Sequence, residues 1–373
     1  MVRETSATES WIALLGRRDT PVDGVEDYCN YLAQGLARRG VIMKSDRVEW
    51  ADRGWLGALL RLRHDCAEWR GKWVLLQYTA LGWSRRGFPL GALLTLAILK
   101  RHGARCAVMF HEPSGLGGPR WIDRIRNACQ DWVVRALFRR AEKNIFTIPL
   151  HSIPWLPKGT SKAAFIPIGA NMLEPTAGRP TTHERNGAVN TVAIFCLSDP
   201  PNLQNELHDI SHAVQVAAKC GRPLRVLFLG RGTAEARQDI ETAFAQVPAE
   251  VRNLGLQDAQ EISRILSESD AMLCTRGLLY LRRSSALAGI ACGLPIIGYA
   301  GAAEGTPLME AGVELVPYRD SEAMGRVLTQ ILMDDNLRKT LIEKSQRAFM
   351  RYFSWDSISA ALVKYLSPGP ARP

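Results

Sequence analysis

Two adjacent arginines, Arg282 and Arg283, stand directly before two serines, Ser284 and Ser285, in the stretch CTRGLLYLRRSSALAGIACGLPIIGYAGAAEG covering 274–305. The pattern predicts a strand ending near Thr275, a loop, and a short helix from Ser284/Ser285 to Cys292. Gly293 is placed to end that helix and Pro295 to open the next strand. A helix start carries free backbone N–H groups and a partial positive charge, and guanidinium forks match phosphate oxygens. Together they would cradle a diphosphate. The plainer reading is a solvated arginine pair beside an ordinary serine-capped helix.

Other residues with chemical potential also fall where apolar runs end. His111 and Glu112 follow CAVMF, at the carboxyl end of an expected strand. The loop GRRDTPVDGVED (16–27) holds Gly16, Asp23 and Gly24, glycine permitting close backbone approach to a ligand. Asp23 is read either as facing an acceptor or as a turn residue, because a carboxylate beside a diphosphate would repel it. Gly230-Arg231-Gly232 forms a second glycine loop, without the third glycine and acidic residue of a dinucleotide site. His208 and His212 sit at helical i, i+4 spacing but lack the glutamate of a zinc-protease motif, so a polar helix face is expected there.

The elements that must position these residues alternate regularly. Strand-like runs are expected at 11–16, 41–44, 73–80, 106–112, 144–150 and 164–169, with helical spacing between them, as in 25–39 and 121–143. Continuous apolar runs separated by helices indicate parallel sheets covered on both faces. Residues 171–190, rich in Pro, Gly, Thr and charge, break the pattern. Alternation resumes at 191–198, 224–230, 271–275, 294–299 and 313–317, and a last amphipathic helix is expected over 354–366. The fold class is therefore α/β, with two doubly wound Rossmann-like domains. The expected boundaries are 1–175, a linker at 176–190, a second domain at 191–350, and a C-terminal helix at 351–373. Ligands of such sheets bind beyond the carboxyl ends of the strands, so a cleft between the domains is the expected site.

Composition narrows the function classes. The 373 residues are 46% hydrophobic and 23% charged, a globular mixture. No apolar run reaches the roughly 18–20 residues of a membrane span, and the N-terminal residues show no secretory signal core. Eight scattered cysteines without a CxxC favour reduced, mostly buried thiols in a cytosolic protein over a zinc site or disulfide scaffold. The net charge of +10 is unevenly placed. Residues 1–170 hold 26 Lys and Arg against 15 Asp and Glu, whereas residues 171–373 hold 21 against 22.

SSALAGIACGLPII resembles the signature helix and strand of GT-B glycosyltransferases, particularly family 4, and the preceding RRSS is similar to the Arg-Arg-Gly-Ser/Thr form of a subset of them. Further segments follow the family's order: 20–40 resembles its first glycine loop and helix, FHEP its histidine-bearing strand end, and IPIGAN (166–171) its segment before the linker. LFLGRGT (227–233) resembles its second glycine loop, LGLQDAQEISRILSESDAML (254–273) its following helix, and FSWDSISAALVKYL (353–366) its closing helix. The resemblance spans nearly the whole chain. It implies transfer of a sugar from a nucleotide diphosphate sugar, with UDP or GDP as nucleotide, with retention and no required metal or other cofactor. It places His111, with Glu112 beside it, near the donor sugar. Donor contacts would come from Gly230, Arg231, Gly232, Arg276, Arg282, Arg283, Ser284 and Ser285, and the Asp23-Gly24 loop would touch phosphate or acceptor. Two departures stand out. Tyr280 and Ala288 occupy the positions of the family's paired glutamates, and SDPPNLQN (198–205) lacks the Arg and Lys usual after the first strand of the second domain.

The resemblance also implies a saccharide or lipid-linked acceptor, in bacterial polysaccharide or glycolipid assembly. The helix over 121–143 combines Trp121, Ile125, Trp132, Val133 and Leu137 with Arg124, Arg126, Arg135, Arg139 and Arg140. With the basic first half it suggests a cytoplasmic protein lying peripherally on an anionic membrane, against the plainer reading of an outer helix packed on its sheet. No nucleic-acid-binding module is recognisable. The rival is a non-catalytic nucleotide-sugar-binding partner subunit. A GT-B-fold sugar nucleotide epimerase is a third reading, for which the paired acidic residues are not found.

Overall fold

The computed structural model describes residues 9–19, 23–113, 118, 120–170, 172, 189–301 and 306–367. The chain packs as two units, Met1–Ile168 with Trp355–Pro373, and Gly169–Ser354. Most of the expected linker, 176–190, lies outside the described residues.

The first unit contains β1 (Glu9–Leu15), α1 (Gly24–Ala37), β2 (Val41–Arg47), α2 (Trp50–Asp65), β3 (Trp73–Tyr78), α3 (Leu90–Arg101), β4 (Arg105–Phe110), α4 (Trp121–Arg140), β5 (Lys143–Phe146) and β6 (Ala163–Phe165). Its sheet is parallel throughout, in the order β2-β1-β3-β4-β5-β6. The central strands are apolar on both sides because both faces are covered. Ile12, Leu14, Leu76, Val108 and Phe110 point into a core shared with α2, α3 and α4. Their alternates Trp11, Ala13, Leu75, Ala107 and Met109 point into a second core. That second core is covered by α1 and by a helix contributed from the C-terminal segment, Trp355–Leu366. Ile358, Leu362 and Leu366 form its buried stripe at i, i+4, i+8. A Cβ on Gly35 would lie 2.8 Å from the Trp355 carbonyl oxygen, so only glycine lets the two backbones approach this closely.

The second unit contains β7 (Asn190–Phe195), α5 (Leu203–Ala218), β8 (Leu224–Leu229), α6 (Arg237–Phe244), β9 (Glu250–Gly255), α7 (Ala259–Glu268), β10 (Ala271–Leu278), α8 (Ser284–Ala291), β11 (Ile296–Tyr299), β12 (Val313–Val316), α9 (Ser321–Met333) and α10 (Asp335–Ala348). The Trp355–Leu366 helix is thus α11. The sheet order is β12-β11-β10-β7-β8-β9, again all parallel. The doubly wound α/β class expected from the sequence is the class observed.

Differences are local and have physical causes. β9 is absent from the sequence reading because it is an edge strand with only half-buried or exposed residues, and it needs no apolar run. β4 stops at Phe110, two residues earlier than expected, which leaves His111 and Glu112 in the loop beyond it. β5 stops at Phe146, where the Thr147 hydroxyl donates to the Phe110 carbonyl and Pro149 soon follows.

Candidate functional site

Each strand order reverses direction at one place, and that switch point is where open α/β sheets leave a crevice. In the second unit it lies between β7 and β10. The loops leaving these strands, together with the start of α5 and the ends of β11 and β12, enclose a cavity of about 200 Å³. Ser198, Asn202 and Asn205 line it from one side, Arg276 and Gly277 from another, and Tyr318 and Arg319 from a third.

Two buried carboxylates from α5 hold this cavity together. Glu206 accepts from the Ser198 amide at 2.7 Å and from the Thr275 hydroxyl at 2.8 Å, so it ties the β7 loop to β10. One turn on, Asp209 accepts from the Tyr299 hydroxyl at 2.7 Å and from Arg319 Nε and Nη2 at 3.2 and 3.3 Å. Burial, then that hydrogen bond, drives the Tyr299 hydroxyl well above the ordinary tyrosine range. Arg319 has φ of 64°, a left-handed backbone uncommon for a side-chain-bearing residue, and the forked Asp209 contact holds it there.

The surroundings of Arg283 differ in detail from the sequence expectation. Arg283 is itself the N-cap residue of α8, and its side chain accepts no amide. Neither serine occupies the cap: Ser284 is the exposed first helical residue, and Ser285 behind it is buried. This corrects the expectation of a serine-capped helix. The Arg283 guanidinium, half-buried, donates instead to the carbonyls of Arg276 and Leu278 at the end of β10. Burial, then the adjacent Arg276 charge, pulls its pKa below the ordinary arginine value. Arg276 Nε is buried without a hydrogen-bond partner. Arg282 and Arg231 are exposed. Gly230 and Gly232, at φ of 91° and 84°, let the β8 loop press on the β7 loop: a Cβ on Gly230 would strike Phe195 and Cys196, and one on Gly232 would lie 3.0 Å from the Leu197 carbonyl oxygen. Their freedom therefore serves loop-on-loop packing.

The first unit's switch point lies between β1 and β3. His111 Nε2 is 2.8 Å from Gln77 Oε1, which can only accept, so this nitrogen carries the proton. The ring also meets Tyr28 edge-on at 5.1 Å. Glu112 accepts from the Ala80 amide at 3.2 Å. Asp23 caps α1, accepting from the amides of Val25 and Glu26 at 3.1 Å, and meets Arg47 at 3.2 Å. That is the turn-residue alternative for Asp23: backbone amides and a guanidinium already occupy its oxygens. Gly24 opens α1, with no atom of the described residues within 4 Å of its Cβ position.

His208 and His212 stack at 6.3 Å, and His212 Nδ1 meets the Ser321 hydroxyl at 2.9 Å, a structural contact between α5 and α9. Tyr280 is exposed and Ala288 buried, so neither position offers a polar group from inside. Sequence reasoning did not find Glu206, Asp209, Tyr299, Tyr318 or Arg319. The available signal was the pair Glu206 and Asp209, three residues apart on one helix face just after the polar SDPPNLQN loop. Arg276 on β10 and Arg319 beyond β12 line the same cavity as that loop.

No protein-family model matches the chain, and no curated protein matches it by sequence. Solved structures do match its fold. It is similar to sucrose-phosphate synthase from Thermosynechococcus elongatus, with 15% identity, TM-score 0.65, and coverage of 95% of this chain and 98% of that one. It is also similar to HepE of Anabaena, solved with UDP and glucose, at 13% identity, TM-score 0.61, and coverage of 96% and 99%. A putative UDP-N-acetylglucosamine 2-epimerase from Listeria monocytogenes matches at 11% identity, TM-score 0.61, and coverage of 96% and 95%. The fold is GT-B: two Rossmann-like domains, each built on a six-stranded parallel sheet.

Proposed function

We propose that the protein is a glycosyltransferase that moves a sugar from a nucleotide diphosphate sugar to a saccharide or lipid-linked acceptor, with retention of anomeric configuration. The observation that carries this is the pairing of Arg283 and Arg276 beside the first turn of α8, at a sheet switch point, with no carboxylate within ion-pair distance of either among the described residues. Breaking the anomeric bond leaves negative charge on the diphosphate and positive charge on the sugar ring. Fixed cations and oriented amides stabilise that leaving group without reorganising during the reaction. In this reading the protein's own arginines meet the diphosphate charge, and no metal is assigned. His111 serves as a hydrogen-bond partner of the donor sugar: with its Nε2 proton given to Gln77, its Nδ1 accepts from a sugar hydroxyl. Its proton is already placed on Nε2 by Gln77, an orientation that Phe or Ala at position 111 would lose.

UDP is the first nucleotide to try, since HepE was solved with UDP and glucose and another structural neighbour, from E. coli, with UDP-2-fluoro glucose. The second reading is a donor-binding subunit without turnover. It is favoured by Tyr280 and Ala288, which present no carboxylate where the family resemblance expects glutamates. One experiment separates the two. Pure protein is incubated with a panel of UDP- and GDP-sugars and acceptors while nucleotide release is followed. Release that is lost in Arg283→Ala and in His111→Ala supports transfer. Saturable donor binding without release across the panel supports the subunit reading.

A further inference from the structure

The helices α2, α3 and α4 lie side by side over one face of the first sheet. Their inner sides fill the core with Ala58, Leu62, Leu96, Leu99, Val133 and Leu137. Their outer sides should then be polar, as for any surface helix. They are not. Leu56 and Leu60 on α2, Leu90 and Leu94 on α3, and Trp121 and Ile125 on α4 are exposed, with Leu56 at 77% and Trp121 at 73%. On each helix the pair is spaced i, i+4, so each presents a second apolar stripe to solvent. Trp132 extends the α4 stripe by two further turns.

On α3 and α4 the i, i+4 pairs occupy the N-terminal halves, whereas on α2 the pair lies at mid-helix and Trp132 lies past the middle of α4; basic residues follow at Arg61 and Arg63, Lys100 and Arg101, and Arg139 and Arg140. In a parallel α/β layer the helices start where the strands end. The α3 and α4 pairs therefore sit toward the carboxyl edge of the sheet, the edge that carries His111 and Glu112. Exposed Arg85, Arg86, Arg120 and Arg124 surround them. Residues 50–140 hold sixteen Lys and Arg against six Asp and Glu, an excess equal to the +10 of the whole chain.

We propose that the α2–α3–α4 face docks this protein on an anionic lipid bilayer, with its leucines and tryptophans in the headgroup region and its arginines against lipid phosphates. Exposed apolar area of this extent marks an interaction surface. Tryptophan beside arginine suits the boundary between acyl chains and headgroups. A symmetric contact with a second copy would set one cationic face against another and is disfavoured. No helix among the described residues is long and apolar enough to cross a membrane, so the attachment is peripheral. The docking does not depend on the transfer reading. Only its corollary does, that the first sheet's edge meets the polar end of a lipid-linked acceptor at the interface.

The test is flotation of the full chain with vesicles of phosphatidylcholine, or of phosphatidylcholine in which a third of the lipid is phosphatidylglycerol, at low and high salt. Partition to the anionic vesicles is expected to exceed that to neutral ones by about tenfold or more and to fall with salt. Arg86→Glu with Arg124→Glu, and separately Trp121→Ser with Ile125→Ser, should each lower it by about tenfold. Wild-type protein that partitions equally to both vesicles or to neither overturns the proposal, as do variants that bind like wild type. A wild-type dimer that the Trp121→Ser change dissociates also overturns it, in favour of a protein interface. Melting temperature and its response to added UDP check the variants' fold and donor site, so a failure of docking is separable from a failure of donor binding.

Discussion

The two sheets end in edges of opposite electrostatic character. At the first, each polar group considered has a protein partner: Asp23 with Arg47 and the α1 amides, Glu112 with the Ala80 amide, His111 with Gln77. At the second, carboxylates and cations are unequally matched. Glu206 and Asp209 are committed to Ser198, Thr275, Tyr299 and Arg319, while Arg283 donates to two backbone carbonyls beside the Arg276 charge and Arg276 Nε is buried without a hydrogen-bond partner. Like charges brought together in a half-buried place cost stability, and proteins retain such places where an anion relieves them. The polar groups named at the first edge are tied to protein partners, whereas at the second Arg276 and Arg283 have no carboxylate within ion-pair distance among the described residues.

Replacing Arg283 breaks the comparison most directly. Arg283→Ala should lower kcat/KM for sugar transfer by about 10²–10³-fold, the usual consequence of removing one donor to a developing oxyanion. The same variant should melt no lower than wild type, because it removes a partly desolvated charge from beside Arg276. Loss of activity together with several degrees of destabilisation would show Arg283 to be a structural strut. A nucleoside diphosphate should sharpen the same contrast. UDP at about a hundred times its dissociation constant is expected to stabilise wild type by about 2.7 kcal/mol, and a thermal shift series should show that gain shrinking in Arg283→Ala.

Asp209 tests whether the network under the cavity is a single unit. Asp209→Ala leaves the Tyr299 hydroxyl without its acceptor and Arg319 without its forked partner. Removing a carboxylate from a buried pair costs about 3–5 kcal/mol. Because Arg319 is more than a third exposed, solvent screens its charge and about 2 kcal/mol is the better expectation. Urea unfolding gives the stability loss, and a weaker UDP response would place the network in donor binding. Unchanged stability would mean that Arg319 holds its left-handed backbone without help.

These residues also show what the sequence disclosed. Continuous apolar runs such as WVLLQY announced buried parallel strands, and Gly293, at φ of 65°, ended α8 as its type demands. Arg282-Arg283-Ser284-Ser285 announced the start of α8, which the structure places at Ser284 with Arg283 as the N-cap residue. β9 escaped notice because an edge strand buries too little to show a pattern. Glu206 and Asp209 escaped it for a different reason. Polar residues on a helix look alike whether they face solvent or a cavity, and only the tertiary approach of β10, β11 and β12 turns them inward. Arg319 depends on a backbone angle that no composition rule encodes.

Asp23 makes the smallest expected difference and the sharpest control. Its side chain accepts two first-turn amides of α1, and capping residues of this kind contribute about 1 kcal/mol. Asp23→Ala should therefore lower unfolding free energy by about that amount. Asp23→Asn keeps an amide acceptor but weakens the Arg47 contact at 3.2 Å, and should lose less. If the first edge is finished scaffold, both variants leave the UDP-induced thermal shift intact and change turnover by no more than their small loss of folded protein. A selective rise in acceptor KM, with stability preserved, would instead make Asp23 a ligand-facing carboxylate and erase the contrast between the two edges.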